Sequence, residues 1–137
     1  MSEFVHRLRV RYNECDPQGI VFNGNYVTYV DVALTDMWRE RFGSYDQMLD
    51  EFGVDLVVGS VTLDFKASAR PDDLIDVGLE VANIGTTSMT FAIHMRLGEA
   101  SIVTDAIRHV CVDRTTMAKT PIPDAIRAKL QPVTAAG

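Results

Sequence analysis

Cysteine is scarce in this chain, with only Cys15 and Cys111 among 137 residues. Two thiols set no disulfide framework, so a reducing, cytoplasmic setting is expected. No uncharged apolar run approaches the ~18 residues of a membrane span. The opening Met1-Ser2-Glu3-Phe4-Val5-His6-Arg7 also lacks the basic and then apolar pattern of a signal peptide. Internal repeats, low-complexity tracts and Pro/Gly/Ser-rich linkers are missing as well, which leaves one domain across residues 1–137. A chain of this length buries roughly two thirds of the surface that its unfolded form exposes, so it needs neither metal nor disulfide for a core. Its 47% hydrophobic and 23% charged residues fit that class.

Positive charge is in deficit too. Thirteen basic against nineteen acidic residues give a net charge of −6, which disfavours nucleic acid and anionic membranes as partners. The exception is the stretch from Arg108 to Lys129, with a local excess of +3 that leaves −9 for the rest. An anionic small molecule could dock there, although a solvated surface explains the same charges. Metal-ligand spacing is absent, because His6, His94 and His109 fall on separate strands and neither cysteine has a partner. There is no Gly-rich phosphate loop and no Gly-x-Ser-x-Gly elbow, so no cofactor is expected. Cys15 reads as a small hydrophobe rather than a nucleophile.

What is present is a simple succession of periods. Phe4 to Tyr12 alternates, with Phe4, His6, Leu8, Val10 and Tyr12 on one face and Arg7, Arg9 and Arg11 on the other, a half-buried strand. Asp16-Pro17-Gln18-Gly19 breaks it with the residues a type I turn favours. From Asn25 to Phe42 the period becomes helical, through Tyr26, Tyr29, Val30, Ala33, Leu34, Met37, Trp38 and Arg41, with Val27 and Val32 widening the apolar face. Asn23 or Asn25 is the expected cap, and Gly43 the expected stop. After Gly53 the period returns to two. Val57, Val61, Leu63, Phe65 and Ala67 share a face of a long strand, and Arg70-Pro71-Asp72-Asp73 turns the chain. Ile75 to Val81 and Met89 to Leu97 make two more strands, separated by a turn at Asn83-Ile84-Gly85-Thr86. Gly98-Glu99 is a tight hairpin leading into a strand from Ala100 to Arg114, and Pro123 to Leu130 is a short helix. This order predicts an α+β fold, a largely antiparallel sheet of about five strands wrapped around one buried helix. Apolar residues such as Ile107 beside Ala106 suggest burial of the outer face in an oligomer.

The segment Tyr12 to Tyr26 carries the chemistry. It sets the Asp16 carboxylate on a turn shortly before the amino end of a core helix, where free N–H groups and the helix dipole favour developing negative charge. A carbonyl oxygen held at those groups, facing Asp16 or a water beside it, is the geometry that acyl transfer needs. The tetrapeptide alone is equally an ordinary turn.

The stretch Cys15-Asp16-Pro17-Gln18-Gly19-Ile20-Val21-Phe22-Asn23-Gly24-Asn25-Tyr26, followed by the long helix, resembles the hot dog fold acyl-CoA thioesterases, especially the 4-hydroxybenzoyl-CoA thioesterase family. The likeness continues through Phe65-Lys66-Ala67-Ser68-Ala69-Arg70-Pro71-Asp72-Asp73 and covers nearly the whole chain. The resemblance implies a sheet wrapped around its helix, paired subunits as a homodimer or homotetramer, and active sites at the subunit interface. It makes Asp16 the catalytic aspartate and the Asn23 backbone N–H the donor that polarises the thioester carbonyl, with Gly19 and Tyr26 beside the substrate. Many relatives have His where this chain has Ile20, and the 4-hydroxybenzoyl subgroup has an aromatic residue where this chain has Asn23. The implied activity is hydrolysis of a small or medium acyl-CoA to free acid and coenzyme A, with Asp16 as nucleophile or general base. Lys66, Arg70 and the basic C-terminal segment are candidates to meet the coenzyme A phosphates. A hot dog dehydratase would want a histidine near Asp16. A non-catalytic acyl-CoA binding or sensing module is the alternative from another class, but it has no use for a carboxylate at the thioester.

Overall fold

The computed structural model describes residues 3–130. In chain order these form β1 (Phe4–Arg9), a 3-10 turn (Tyr12–Glu14), α1 (Asn23–Phe42), α2 (Tyr45–Phe52), β2 (Val54–Phe65), β3 (Leu74–Ile84), β4 (Ser88–Leu97), β5 (Ala100–Asp113) and α3 (Asp124–Leu130). The strands make one antiparallel sheet in the order β1-β3-β4-β5-β2. Register shifts after Val58, Val81 and Met95 break the ladders, and such bulges deepen twist and let a sheet curl. The sheet closes around α1, the arrangement expected from the order of periods. No helix among the described residues is long and apolar enough to cross a membrane.

The stripe Tyr26, Tyr29, Val30, Ala33, Leu34, Met37 and Trp38 is buried in full. It meets Ile75, Val77 and Leu79 of β3, Phe91, Ile93 and Met95 of β4, and Val103, Ile107 and Cys111 of β5 in one cluster. Trp38 stands edge-on to Phe91 with centroids 6.3 Å apart. The helix begins two residues earlier than expected and neither asparagine caps it. Phe22 occupies the cap position without a side-chain bond, and the Asn25 side chain instead donates to the Glu14 carbonyl at 2.7 Å. Val32 lies on the solvent side at 44% exposure, so it widens no core face. Gly43 ends the helix with φ +87°, its N–H donating to Arg39 O at 2.8 Å.

Other expectations need correction. The first strand stops at Arg9 and Tyr12 starts a 3-10 turn, which turns Tyr12 out to 83% exposure. Helix α2 was not anticipated; Ser44 Oγ caps it by accepting from Gln47 N at 3.0 Å. In β2, the ladder partners pass from Val58–His109 to Ser60–Arg108, leaving Gly59 as the extra residue. A Cβ there would lie 2.9 Å from Val110 Cγ2, so a larger residue at the bulge would have to displace the Val110 side chain. The bulge reverses the phase: Val54, Leu56 and Val58 share the inner face with Val61, Leu63 and Phe65, while Val57 faces away and Ala67 lies beyond the strand. Ile107 is fully buried and belongs to the inner core, with exposed Ala106 on the other side. The uncovered apolar surface lies along β2, an edge strand, where Val58, Val61 and Phe65 remain 53%, 38% and 47% exposed.

Met37 is fully buried at the centre of α1. Met37→Ala is expected to lose about 2–5 kcal/mol of stability, whereas Val32→Ala on the same helix should change it by about 0.5 kcal/mol or less. Denaturant unfolding of the two variants measures the difference.

Candidate active site

The turn at Asp16 is a short hairpin. Cys15 bridges Val21, the Asp16 N–H donates to Ile20 O at 2.9 Å, and the Gly19 N–H donates to Asp16 O at 2.9 Å. Gly19 has φ +77°, the left-handed conformation that closes such a loop with a bulge. Within it the half-buried Asp16 accepts from the Gln18 N–H through Oδ1 at 2.8 Å. Its other oxygen has no protein partner among the described residues. One oxygen is thus oriented and the other is left open.

The hairpin is fastened to the start of α1 through Glu14, which sequence reasoning overlooked. Glu14 O accepts from the Phe22 N–H at 3.0 Å and from Asn25 Nδ2 at 2.7 Å. Its carboxylate accepts from the Arg11 N–H at 2.7 Å and from Tyr29 OH at 3.0 Å, and burial together with that carboxylate holds the Tyr29 phenol far above its ordinary range. Among the described residues the amides of Asn23 and Gly24 find no protein acceptor, as helix geometry dictates for a first turn without a side-chain cap. Asn23 itself is exposed. Cys15 Sγ points to Arg11 O at 3.8 Å; burial and the Asp16, Glu14 and Asp73 carboxylates push its thiol up, away from a reactive thiolate.

Tyr26 is buried, and its hydroxyl accepts from the Ala69 N–H at 3.1 Å. Its ring lies 5.6 Å from that of Phe65, so it anchors the segment between β2 and β3. Ala69 O in turn accepts from the Val21 N–H at 2.9 Å. These contacts bring Lys66 and Arg70 to the same end of the fold as Asp16. Both are exposed and form no ion pair among the described residues. A groove of about 740 Å³ is lined by Arg9, Arg11 and Tyr12 together with Pro71 and Asp72. The basic C-terminal residues are not brought there: Arg114 pairs with Asp50, Arg127 donates to Gly85 O at 2.8 Å, and Lys129 donates to Arg41 O at 2.9 Å. Lys129 is therefore docked at the far end of α1.

Two further titratable groups face inward from β5. Asp105 and His109 are 8% and 7% exposed, and among the described residues neither Asp105 oxygen nor His109 Nδ1 has a hydrogen-bond partner. Burial raises the Asp105 carboxyl to about 6; the Ala106 amide offsets this only in part and does not reach hydrogen-bond geometry. Burial lowers His109 to about 4. Sequence reasoning missed both: taking Ile107 as an outer residue put its same-face neighbours Asp105 and His109 outward too, and the structure turns all three inward.

Residues 18–104 match the Thioesterase superfamily. An acyl-CoA thioester hydrolase, YbgC of Escherichia coli, is 30% identical over 125 residues, covering 90% of this chain and 92% of that protein. Among solved structures, a hypothetical protein from Aquifex aeolicus superposes with a TM-score of 0.87 at 23% identity, over 93% of this chain and 99% of its own. A 1,4-dihydroxy-2-naphthoyl-CoA thioesterase from Synechocystis superposes at 0.84 with 18% identity, over 97% and 98%. These likenesses share the sheet wrapped around a helix.

The two orphaned groups generate opposite pH trends. Asp105, raised above its unfolded value of 3.8, contributes stability at low pH that is lost as pH rises to about 6. His109, depressed below 6.5, contributes stability at neutral pH that is lost as pH falls to about 4. Each trend is worth about 3 kcal/mol, and they largely offset. Relative to wild type, Asp105→Asn should therefore gain stability as pH rises from 4 to 6.5, and His109→Phe should lose it. Urea unfolding at stepped pH reads both slopes; unchanged slopes would mean that the groups are solvated or paired in solution.

Proposed function

This chain belongs to the thioesterase superfamily and is an acyl-CoA thioester hydrolase, and we propose that Asp16 is its catalytic carboxylate, acting on a small or medium acyl-CoA. The observation that carries this reading is a half-buried carboxylate with one oxygen oriented by Gln18, on a hairpin fastened by Glu14 to a helix start whose first amides lack acceptors. The Asn23 N–H, with the helix dipole behind it, receives the thioester oxygen as it gains charge. As nucleophile, Asp16 adds to the carbonyl carbon and the C–S bond breaks. The coenzyme A thiolate leaves and takes a proton, and water hydrolyses the mixed anhydride to restore Asp16. As general base, Asp16 takes the proton of an adding water and passes it to the leaving sulfur. Gly19 shapes the loop beside the substrate, and Tyr26 holds the neighbouring wall. Lys66 and Arg70, exposed and without ion-pair partners among the described residues, meet the phosphates of coenzyme A.

The same reading includes a homodimer, with the tetramer as its further assembly. Strand β2 is an edge of twelve residues whose inner side exposes Val58, Val61 and Phe65. An apolar edge of that length is a template for a further strand, and a second copy supplies one by two-fold symmetry.

A hydrolysis screen that follows free thiol across short, long, branched and aromatic acyl-CoAs tests the chemistry. Asp16→Asn is expected to lower kcat by ~10²-fold or more with the fold intact, while Cys15→Ala keeps most activity. With Asn23 in place of an aromatic residue, an aliphatic or differently substituted acyl group should exceed 4-hydroxybenzoyl-CoA in kcat/KM. Equal turnover by Asp16→Asn and wild type sinks the role of Asp16. Sedimentation should give a dimer or tetramer, and a fully active monomer of about the 15.2 kDa chain mass would overturn the shared assembly.

A further inference from the structure

A cavity of about 330 Å³ opens between α1 and β2, and the reaction at Asp16 makes no use of it within one subunit. Leu34, Trp38, Leu56 and Val58 give it apolar walls, and His109 lines it from β5. His109 is buried with Nδ1 unpartnered. Its ring is held edge-on to Phe91 at 5.9 Å between centroids. As a neutral imidazole it keeps one donor and one acceptor. Asp31 and Thr35 line the cavity from the outer side of α1. Tyr45 completes the lining. An open pocket with apolar walls and a buried imidazole nitrogen that has no partner among the described residues has the anatomy of a ligand site, in which apolar walls hold and the polar group orients. The volume is at the small end for such sites, which suits a short chain. Asp105, also unpartnered, faces the same side of β5 as His109, opposite Leu63 of β2.

The cavity lies away from its own Asp16. Its lining on α1 runs from Asp31 to Trp38, about 12 to 22 Å from Asn23 along the helix axis at 1.5 Å per residue. Tyr26, near the helix start, packs on Phe65 at one end of β2, and Tyr45 donates to Leu56 O at 3.4 Å near the other. Two copies pairing antiparallel through β2, about an axis near Gly59, exchange these ends. The helix start and Asp16 of the partner subunit then lie against this cavity. The resemblance already implies an active site between two subunits, and in the dimer paired through β2 the cavity meets Asp16 of the partner subunit. Within that site we propose that His109, which lines the cavity, selects acyl groups bearing a hydroxyl or carbonyl substituent. This rests on the thioesterase reading and on the β2 dimer. It makes His109 a specificity-determining residue whose hydrogen bond is completed by substrate.

The test uses matched pairs that differ by one hydroxyl, butyryl-CoA against 3-hydroxybutyryl-CoA and hexanoyl-CoA against its hydroxylated forms. Wild type is expected to favour the hydroxylated member of at least one pair by about tenfold or more in kcat/KM. His109→Phe, which keeps an aromatic ring without nitrogen, should bring that ratio to about one, with the larger loss on the hydroxylated member. Equal kcat/KM for both members of every pair in wild type, as when water alone satisfies His109, overturns the proposal. A preference that survives in folded His109→Phe overturns it as well. Should that variant fail to fold, the wild-type ratio decides, and His109→Asn, which retains a hydrogen-bonding group, is expected to keep part of the preference. Failure of wild type to hydrolyse any acyl-CoA instead overturns the thioesterase reading, so the two failures are told apart.

Discussion

Burial of α1 is the constraint from which the rest of the architecture follows. Seven residues of its apolar stripe are buried, and a helix of that kind is stable only when something closes over it. A flat sheet cannot cover it, so the strands are long, bulged and wrapped. The same burial leaves the helix start at the rim, where its first amides are free because they lie outside the intrahelical ladder. Burying the helix therefore leaves donors open at the rim, and the proposed site can use them only if a carboxylate is held beside them.

Glu14 makes that provision. It spends its carbonyl and one carboxylate oxygen on four donors, two backbone amides, the Asn25 side chain and the Tyr29 hydroxyl. Tyr29 is part of the buried stripe, so the hairpin that carries Asp16 is bolted to the core rather than left as a surface loop. Tyr26 does the same for the segment bearing Arg70 through the Ala69 amide, and Ala69 closes the circle on Val21. A catalytic carboxylate gains from such support because any rotation it must undo before reacting adds to the barrier.

The periodic elements were legible because their signals are local. The α1 stripe and the inward sets Ile75, Val77, Leu79 and Met89, Phe91, Ile93, Met95 are all buried where alternation put them. The turn at Asp16 was legible from residue type, and the role proposed for Asp16 was suggested by family likeness. What escaped was of two kinds. Helix α2 was readable in principle, since Ser44 and Gln47 stand at capping-box spacing and Gly53 follows in the left-handed conformation; it is too short to show a period. The bulge at Gly59, the role of Glu14 and the isolation of Asp105 and His109 were not readable, because each depends on what lies across the sheet. A single extra residue reverses which side chains face inward, and alternation within one strand carries no trace of it.

The two sheet edges show why an uncovered trough persists in so well-packed a chain. Strand β1 is six residues long with charged Arg7 and Arg9 pointing out, and Arg7 is already committed to Asp76 at 2.8 Å. His6 ties it to Asp36 of α1 at 3.2 Å. Short length and charge are the usual defences of an edge against further pairing. Strand β2 has twice the length and exposes Val58, Val61 and Phe65 on the helix side, with none of these defences on that face. The contrast between a protected edge and an apolar one is what supports the proposed dimer through β2. In the proposed dimer, pairing there covers the α1–β2 trough that His109 lines, a group costly to bury without a partner. Under that proposal, assembly, the orphaned imidazole and the cavity are one feature of the chain, because the surface joining two copies is also the wall of the pocket that each offers to the other's carboxylate.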